Sequence, residues 1–248
     1  MANLLAGGII ATIAFVAVGV VLVLPPYIQG LESSQQVPKI LLSFSVTDDE
    51  NMPQWCKGIS ELLNENQLKA VVFFSGKAAE QYPDCVRSFN DYVEIGSSTY
   101  SYTKLSAERD YLDQLNDVSK GKAVVDSLSG TNSQLFKAPY GYSDDNIYSL
   151  LSRNNITLDF SANGSYNKFD GNYFIYNELK TFDLGPSSIN EIQSHISNRA
   201  SDRVQITADS SVPVEKITSI VNFIIRENNA TFVNASEMAG THSYVGVE

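Results

Sequence analysis

Positive charge is scarce in this sequence: 17 lysines and arginines stand against 28 aspartates and glutamates over 248 residues, a net charge of −11. Proteins that hold nucleic acid through its phosphates need a basic footprint that displaces counterions, so nucleic acid is excluded as the main partner. Charge of either sign is missing altogether before Glu32. Histidine occurs only at His195 and His242, which are not spaced as a metal-ligand pair. Cysteine occurs only at Cys56 and Cys85; one disulfide is permitted, and two buried thiols satisfy the same count. No internal repeat, low-complexity tract or interior linker divides the body of the chain.

What is present begins with an apolar run from Leu4 to Leu24 that stops at Pro25-Pro26. At about 1.5 Å per residue the run spans about 30 Å, longer than the apolar region of a cleavable signal peptide, and no basic residue precedes it. The expectation is a retained transmembrane anchor over residues 1–24, contacting the membrane through 4–24, followed by a linker over 25–38. Basic-poor flanks suit the outer side, which makes the chain single-pass with an extracytoplasmic body. Sequons at Asn155, Asn163, Asn229 and Asn234 fit an exported glycoprotein, although a sequence rich in Ser and Asn also yields such triplets by chance.

From Lys39 onward, apolar runs alternate with helical patterns. Strands are expected at 40–46, 70–75, 93–96, 135–137 and 156–160, and helices at 53–66, 77–89, 106–128 and 144–153. Weaker pieces follow at 173–176, 188–198, 204–207, 214–228 and 230–233. Ser188 and Glu191 read as a capping box, and Pro213 suits a first helical turn. The class is α/β: a (β/α) barrel with about seven strands over residues 39–239, preceded by one N-terminal transmembrane helix and followed by a polar tail over 240–248. An open doubly wound sheet is the alternative.

Parallel barrels place their chemistry at the carboxyl ends of strands. Those ends read Ser43-Phe44-Ser45-Val46-Thr47-Asp48-Asp49, Glu94-Ile95-Gly96-Ser97-Ser98-Thr99-Tyr100-Ser101-Tyr102, Lys137-Ala138-Pro139-Tyr140-Gly141 and Ile206-Thr207-Ala208-Asp209. In this order the four segments resemble the motifs of the polysaccharide deacetylase family (carbohydrate esterase family 4, the NodB homology domain). The resemblance implies a barrel in which an aspartate base, a second acid with two histidines on a divalent metal, and a late acid histidine act together.

At the catalytic positions the residues differ. Ser45 stands at the base aspartate, Val46 or Thr47 at the metal-binding acid, Ser98 and Tyr102 at the two histidines, Lys137 at the arginine that orients the base, and Ala208 at the late histidine. Neutral hydroxyls do not supply the three strong donors that hold a catalytic Zn²⁺ and acidify its water. The expectation is therefore no cofactor, no metal and no deacetylase activity.

Asp48 and Asp49 offer the best case for a displaced metal site, although a solvated loop or helix cap explains them as well. Lys137 requires a counter-charge or water, and a pair with Asp209, Asp48 or Asp159 is expected. Trp55 is expected to pack in the core or at an interface. Tyr100, Tyr102, Tyr140 and Tyr142 cluster at two mouth segments, where aromatic faces can stack on sugars or simply pack the rim. Two main readings follow: a non-catalytic interaction or structural subunit of a cell-envelope or membrane complex, with a protein partner, and a carbohydrate-binding module; in either, Tyr102, Tyr140, Lys137 and Asp209 are the candidate binding residues, and a metal-dependent deacetylase with a displaced Asp48/Asp49 site ranks last. An open groove favours the second; a mouth filled by side chains or covered by a neighbour favours the first.

Overall fold

A computed structural model describes residues 37–47, 51–141, 145–161, 168–169, 172–173, 179–227 and 230–239. The expected anchor, most of the linker and the C-terminal tail lie outside them. Among the described residues no helix is long and apolar enough to cross a membrane.

The first strand, β1 (Lys39–Val46), sets the pattern of the fold. Side chains of a strand alternate between its faces. Ile40, Leu42, Phe44 and Val46 accordingly enter a large cluster beneath the helices, while Leu41 enters a second cluster inside the curved sheet. Ser43 and Ser45 share the parity of Leu41, so the inner face turns from apolar to hydroxylic on the way to the mouth. The same alternation runs through β2 (Ala70–Phe74), with Val72 and Phe74 outward and Val71 and Phe73 inward.

Helix α1 (Met52–Glu65) buries Met52, Trp55, Cys56, Ile59, Leu62 and Leu63, the stripe of an amphipathic helix. Trp55 packs in the core as expected: its indole N–H donates to the Val212 carbonyl at 2.9 Å, and its ring meets Phe44 edge-on at 5.9 Å. The helix expected at 77–89 is two short ones, α2 (Gly76–Gln81) and α3 (Pro83–Arg87). Pro83 is the cause, because its ring disfavours helical backbone at the preceding residue, and Tyr82 sits at φ −130°, ψ 64°. Cys56 and Cys85 form a disulfide that ties α1 to α3, with Cα atoms 5.6 Å apart.

After β3 (Val93–Ser97), helix α4 (Tyr111–Ser129) starts later than its pattern suggested. Asp110 accepts from the N–H groups of Leu112 and Asp113 and caps it there. The remaining elements are β4 (Leu135–Phe136), α5 (Asp145–Arg153), β5 (Leu158–Asp159), a short hairpin of β6 (Lys168–Phe169) and β7 (Asn172–Tyr173), and β8 (Lys180–Asp183). They continue with α6 (Ile189–Ser197), β9 (Arg203–Asp209), α7 (Val214–Glu227), β10 (Thr231–Val233) and α8 (Ala235–Ala239). Ser188 caps α6 by accepting from the Glu191 N–H, as its pattern suggested.

Seven parallel strands run in the order β5-β4-β3-β2-β1-β9-β8. Among the described residues β5 and β8 do not pair, so the expected barrel is a half-barrel whose hydrogen bonding stays open on one side. Its far end is closed. Strand β10 pairs with β1 at residues 39–41, and Glu94 of β3 accepts from the N–H groups of Ala235 and Ser236 at 2.8 and 3.2 Å. Leu41, Val71, Phe73, Leu135, Val233 and Met238 fill the interior above that floor.

Candidate functional site

The carboxyl ends of the strands surround an open cavity of about 1130 Å³. Ser45, Thr47, Ser75, Lys77, Tyr102, Lys137, Tyr140, Asp183, Thr207 and Asp209 are among the residues that line it. Strand register brings the first and last motifs together, since Ser45 pairs with Asp209 and Ser43 with Thr207 across β1 and β9. The two positions left open for the family's metal-binding acid differ in their surroundings. Val46 is fully buried in the outer core, whereas Thr47 lines the mouth.

The second motif is clamped between α2 and α4. The Gly76 N–H donates to the Thr99 carbonyl, the Tyr100 N–H to the Asp117 carbonyl, and the Ser101 N–H and Oγ to the Asp117 carboxylate. Gly121 of α4 permits this approach, because a Cβ there would lie 2.5 Å from the Ser98 carbonyl oxygen. The clamp separates the tyrosines. The Tyr100 hydroxyl donates to Glu80 and its ring lies under the Lys120 ammonium, so it is turned away from the mouth where the sequence suggested it. Tyr102 and Tyr140 do meet at the mouth, with ring centroids 5.5 Å apart. Both hold left-handed backbone, φ 55° and 60°, a conformation that costs a side-chain-bearing residue of order 1 kcal/mol or more. Tyr140 is 74% exposed. Burial, then the nearby Asp209 charge, raises the Tyr102 phenol above its ordinary value.

Of the aspartates expected for Lys137, Asp48 lies outside the described residues, and neither Asp159 nor Asp209 forms an ion pair with it. Its ammonium donates to Thr207 Oγ1 at 2.8 Å. Asp159 instead accepts from the Ser161 N–H at 2.9 Å, and Ser161 Oγ accepts from the Ala138 N–H, which ties the third motif to the end of β5. Asp209 accepts from the Ser211 N–H and Asp183 from the Gly185 N–H, both at 2.9 Å. Lys137 is half-buried, and loss of water lowers its pKa from 10.5 to about 8, with Asp183 and Asp209 pulling the other way.

Ser98 is buried and its hydroxyl has no hydrogen-bond partner among the described residues; Ala208 is buried, with the parity of the outward-facing Val204 and Ile206. Among the described residues no three His, Cys, Asp or Glu side chains gather as metal ligands. The donors at the motif positions are neutral hydroxyls and do not fit a divalent metal. Asp48, Asp49, Tyr142 and His242 lie outside the described residues. His195 packs against Phe182 and meets Ser201 at 3.1 Å, which is a packing role. Of the sequons, Asn155 is exposed in a turn, Asn234 caps α8 by accepting from the Glu237 N–H, and Asn163 and Asn229 lie outside the described residues. Thr207, Ser161 and Asp183 were missed as site residues. The alternation of Val204 to Asp209 carried a signal for Thr207, but nothing marked the other two.

Three comparisons bear on this arrangement. A family model described as polysaccharide deacetylase matches residues 34–158. A peptidoglycan-N-acetylglucosamine deacetylase from Bacillus cereus is 24% identical over 99 residues, 39% of this chain and 35% of that protein, so the match spans about a third of its length. Two solved structures share the fold. One is a carbohydrate esterase family 4 pseudoenzyme from Bacillus anthracis, with a TM-score of 0.60 at 12% identity over 81% of this chain and 65% of that one. The other is a peptidoglycan deacetylase from Bacillus subtilis, with a TM-score of 0.61 at 17% identity over 83% of this chain and 92% of that one.

Proposed function

The chain belongs to the polysaccharide deacetylase family, and from that membership we propose a non-catalytic member, anchored by residues 4–24 with its body extracytoplasmic, that holds a saccharide at its mouth. One observation carries the reading. The cavity is open and polar and presents Tyr102 and Tyr140, while Ser45, Val46 or Thr47, Ser98 and Tyr102 stand at the motif positions of the family's base and metal ligands. A neutral hydroxyl neither holds the metal nor takes the proton, so the groove keeps recognition without hydrolysis. Recognition has a physical basis: a tyrosine face covers the apolar side of a pyranose ring while the surrounding hydroxyls meet its edge.

The Cys56–Cys85 disulfide supports the extracytoplasmic placement, because disulfides persist in oxidising compartments. A mouth filled by side chains or covered by a neighbouring chain favours the subunit reading; the groove that the described residues form is open, which favours the saccharide reading. Residence in an envelope or membrane complex is a companion proposal, tested by the chains that co-purify from the native membrane.

The experiment for the site uses the full chain in detergent with N-acetylglucosamine oligomers. Calorimetric binding that is unchanged by a chelator and weakened by Tyr140→Ala, with no acetate released at any added divalent metal, is the expected result. Metal-dependent acetate release overturns the non-catalytic reading, and a chain that binds no glycan overturns the saccharide reading.

A further inference from the structure

Lys137 stands where the family places an arginine, and the two residues are not interchangeable. A guanidinium keeps its proton in water, whereas a desolvated amine sheds it and becomes a nucleophile. The Lys137 ammonium lies in the wall of the cavity, held by Thr207 and by no carboxylate among the described residues. Among the described residues the other titratable groups that line this space are Asp183, Asp209, Tyr102, Tyr140, Lys77 and Lys180. Asp183 and Asp209 are oriented by their own turns, and the Lys180 ammonium lies over the Phe182 ring at 4.8 Å.

We infer that Lys137 captures a carbonyl ligand covalently, as an imine with the open-chain aldehyde at a saccharide's reducing end. The choice of ligand rests on the saccharide reading above; the reactivity of the amine does not. The nitrogen lone pair attacks the carbonyl carbon, a C–N bond forms, and the carbonyl oxygen takes a proton. The C–O bond then breaks with loss of water and leaves a protonated imine. One amine and one aldehyde give one imine and one water, with no oxidant or reductant, and hydrolysis reverses the step. Asp183 and Asp209 supply negative charge that steadies the cationic imine. With a pKa of about 8, roughly a tenth of the amine is unprotonated at pH 7, against well under a thousandth for an ordinary lysine.

The test incubates the full-length protein with glycolaldehyde and cyanoborohydride at pH 7 and maps alkylated lysines by mass spectrometry. Lys137 is expected to label on the order of tenfold faster than Lys57, an exposed lysine on α1. Lys137→Arg is expected to lose that site alone while its thermal melt shows that the fold persists. Equal labelling of Lys137 and Lys57 overturns the proposal. A second arm compares chitobiose with its borohydride-reduced alditol, and only the former is expected to leave an adduct. Labelling by glycolaldehyde without binding of either sugar removes the saccharide reading and leaves the amine; binding of both sugars without labelling does the reverse.

Discussion

Replacing Lys137 with methionine is expected to make the protein more stable at neutral pH. Methionine keeps the length of the stem and removes a cation that the mouth desolvates without a carboxylate in contact. The fall of the Lys137 pKa from 10.5 to about 8 corresponds to a penalty of at most about 3 kcal/mol on the charged form. Water in the open mouth screens part of it, and the lost bond to Thr207 costs about 1 kcal/mol. A net gain of about 1–2 kcal/mol remains, or about 2–6 °C in melting temperature for a domain of this size.

The sign with pH follows from the direction of the shift. Below pH 8 both folded and unfolded chains carry the proton, and the penalty is fully present. Between about 8 and 10.5 the unfolded chain binds the proton that the folded chain has lost, so stability rises with pH through that window. Urea titrations of the wild type and Lys137→Met at pH 7 and pH 10 read both effects, and the difference between them removes the other titrating groups. A variant less stable than wild type at pH 7, or parallel curves across the window, refutes the reasoning.

Reducing the Cys56–Cys85 disulfide opens a loop of sequence separation 29 and is expected to cost about 3–4 kcal/mol, seen as a lower melting temperature in dithiothreitol that a Cys56→Ser/Cys85→Ser variant reproduces. Thr47→Asp is expected to be tolerated, whereas Val46→Asp places a carboxylate in the outer core and costs several kcal/mol; comparable urea midpoints would contradict the assigned strand parity. Gly121→Ala is expected to lose more than about 2 kcal/mol by urea titration, because the new methyl group meets backbone atoms that belong to the second motif. Glu94→Gln weakens the acceptor at the start of α8 and is expected to lower stability by about 1 kcal/mol, read by thermal melting.

Much of this fold was legible because its signals are local. The alternation of Ile40 to Val46 and the apolar runs at Ala70 and Val93 mark buried parallel strands, and the ordered motifs at their ends mark the mouth. Strand β8 escaped notice because Lys180-Thr-Phe-Asp183 buries only Phe182 strongly, so its strand character comes from pairing with β9. The break in the 77–89 helix was readable from Pro83, whose effect on Tyr82 is purely local. The partner of Lys137 was not readable. A need for counter-charge can be deduced from a buried cation, but which residue meets it depends on register, and register set Thr207 beneath the mouth while Asp159 turned to Ser161. The two cysteines likewise could not declare their state until α1 and α3 lay side by side.

The sealed floor has a consequence for any polymer that visits this protein. With Glu94 fastened to α8 and Leu41, Val71, Phe73 and Met238 packed above it, the described residues fill the end of the chamber opposite the mouth. On the saccharide reading, a glycan strand that enters at the mouth meets packed side chains at that end and not a passage. A strand that dips in a terminus makes occupancy count strand ends, so that trimming a polymer into shorter pieces multiplies the sites it offers, whereas a strand that lies across the opening makes occupancy count length.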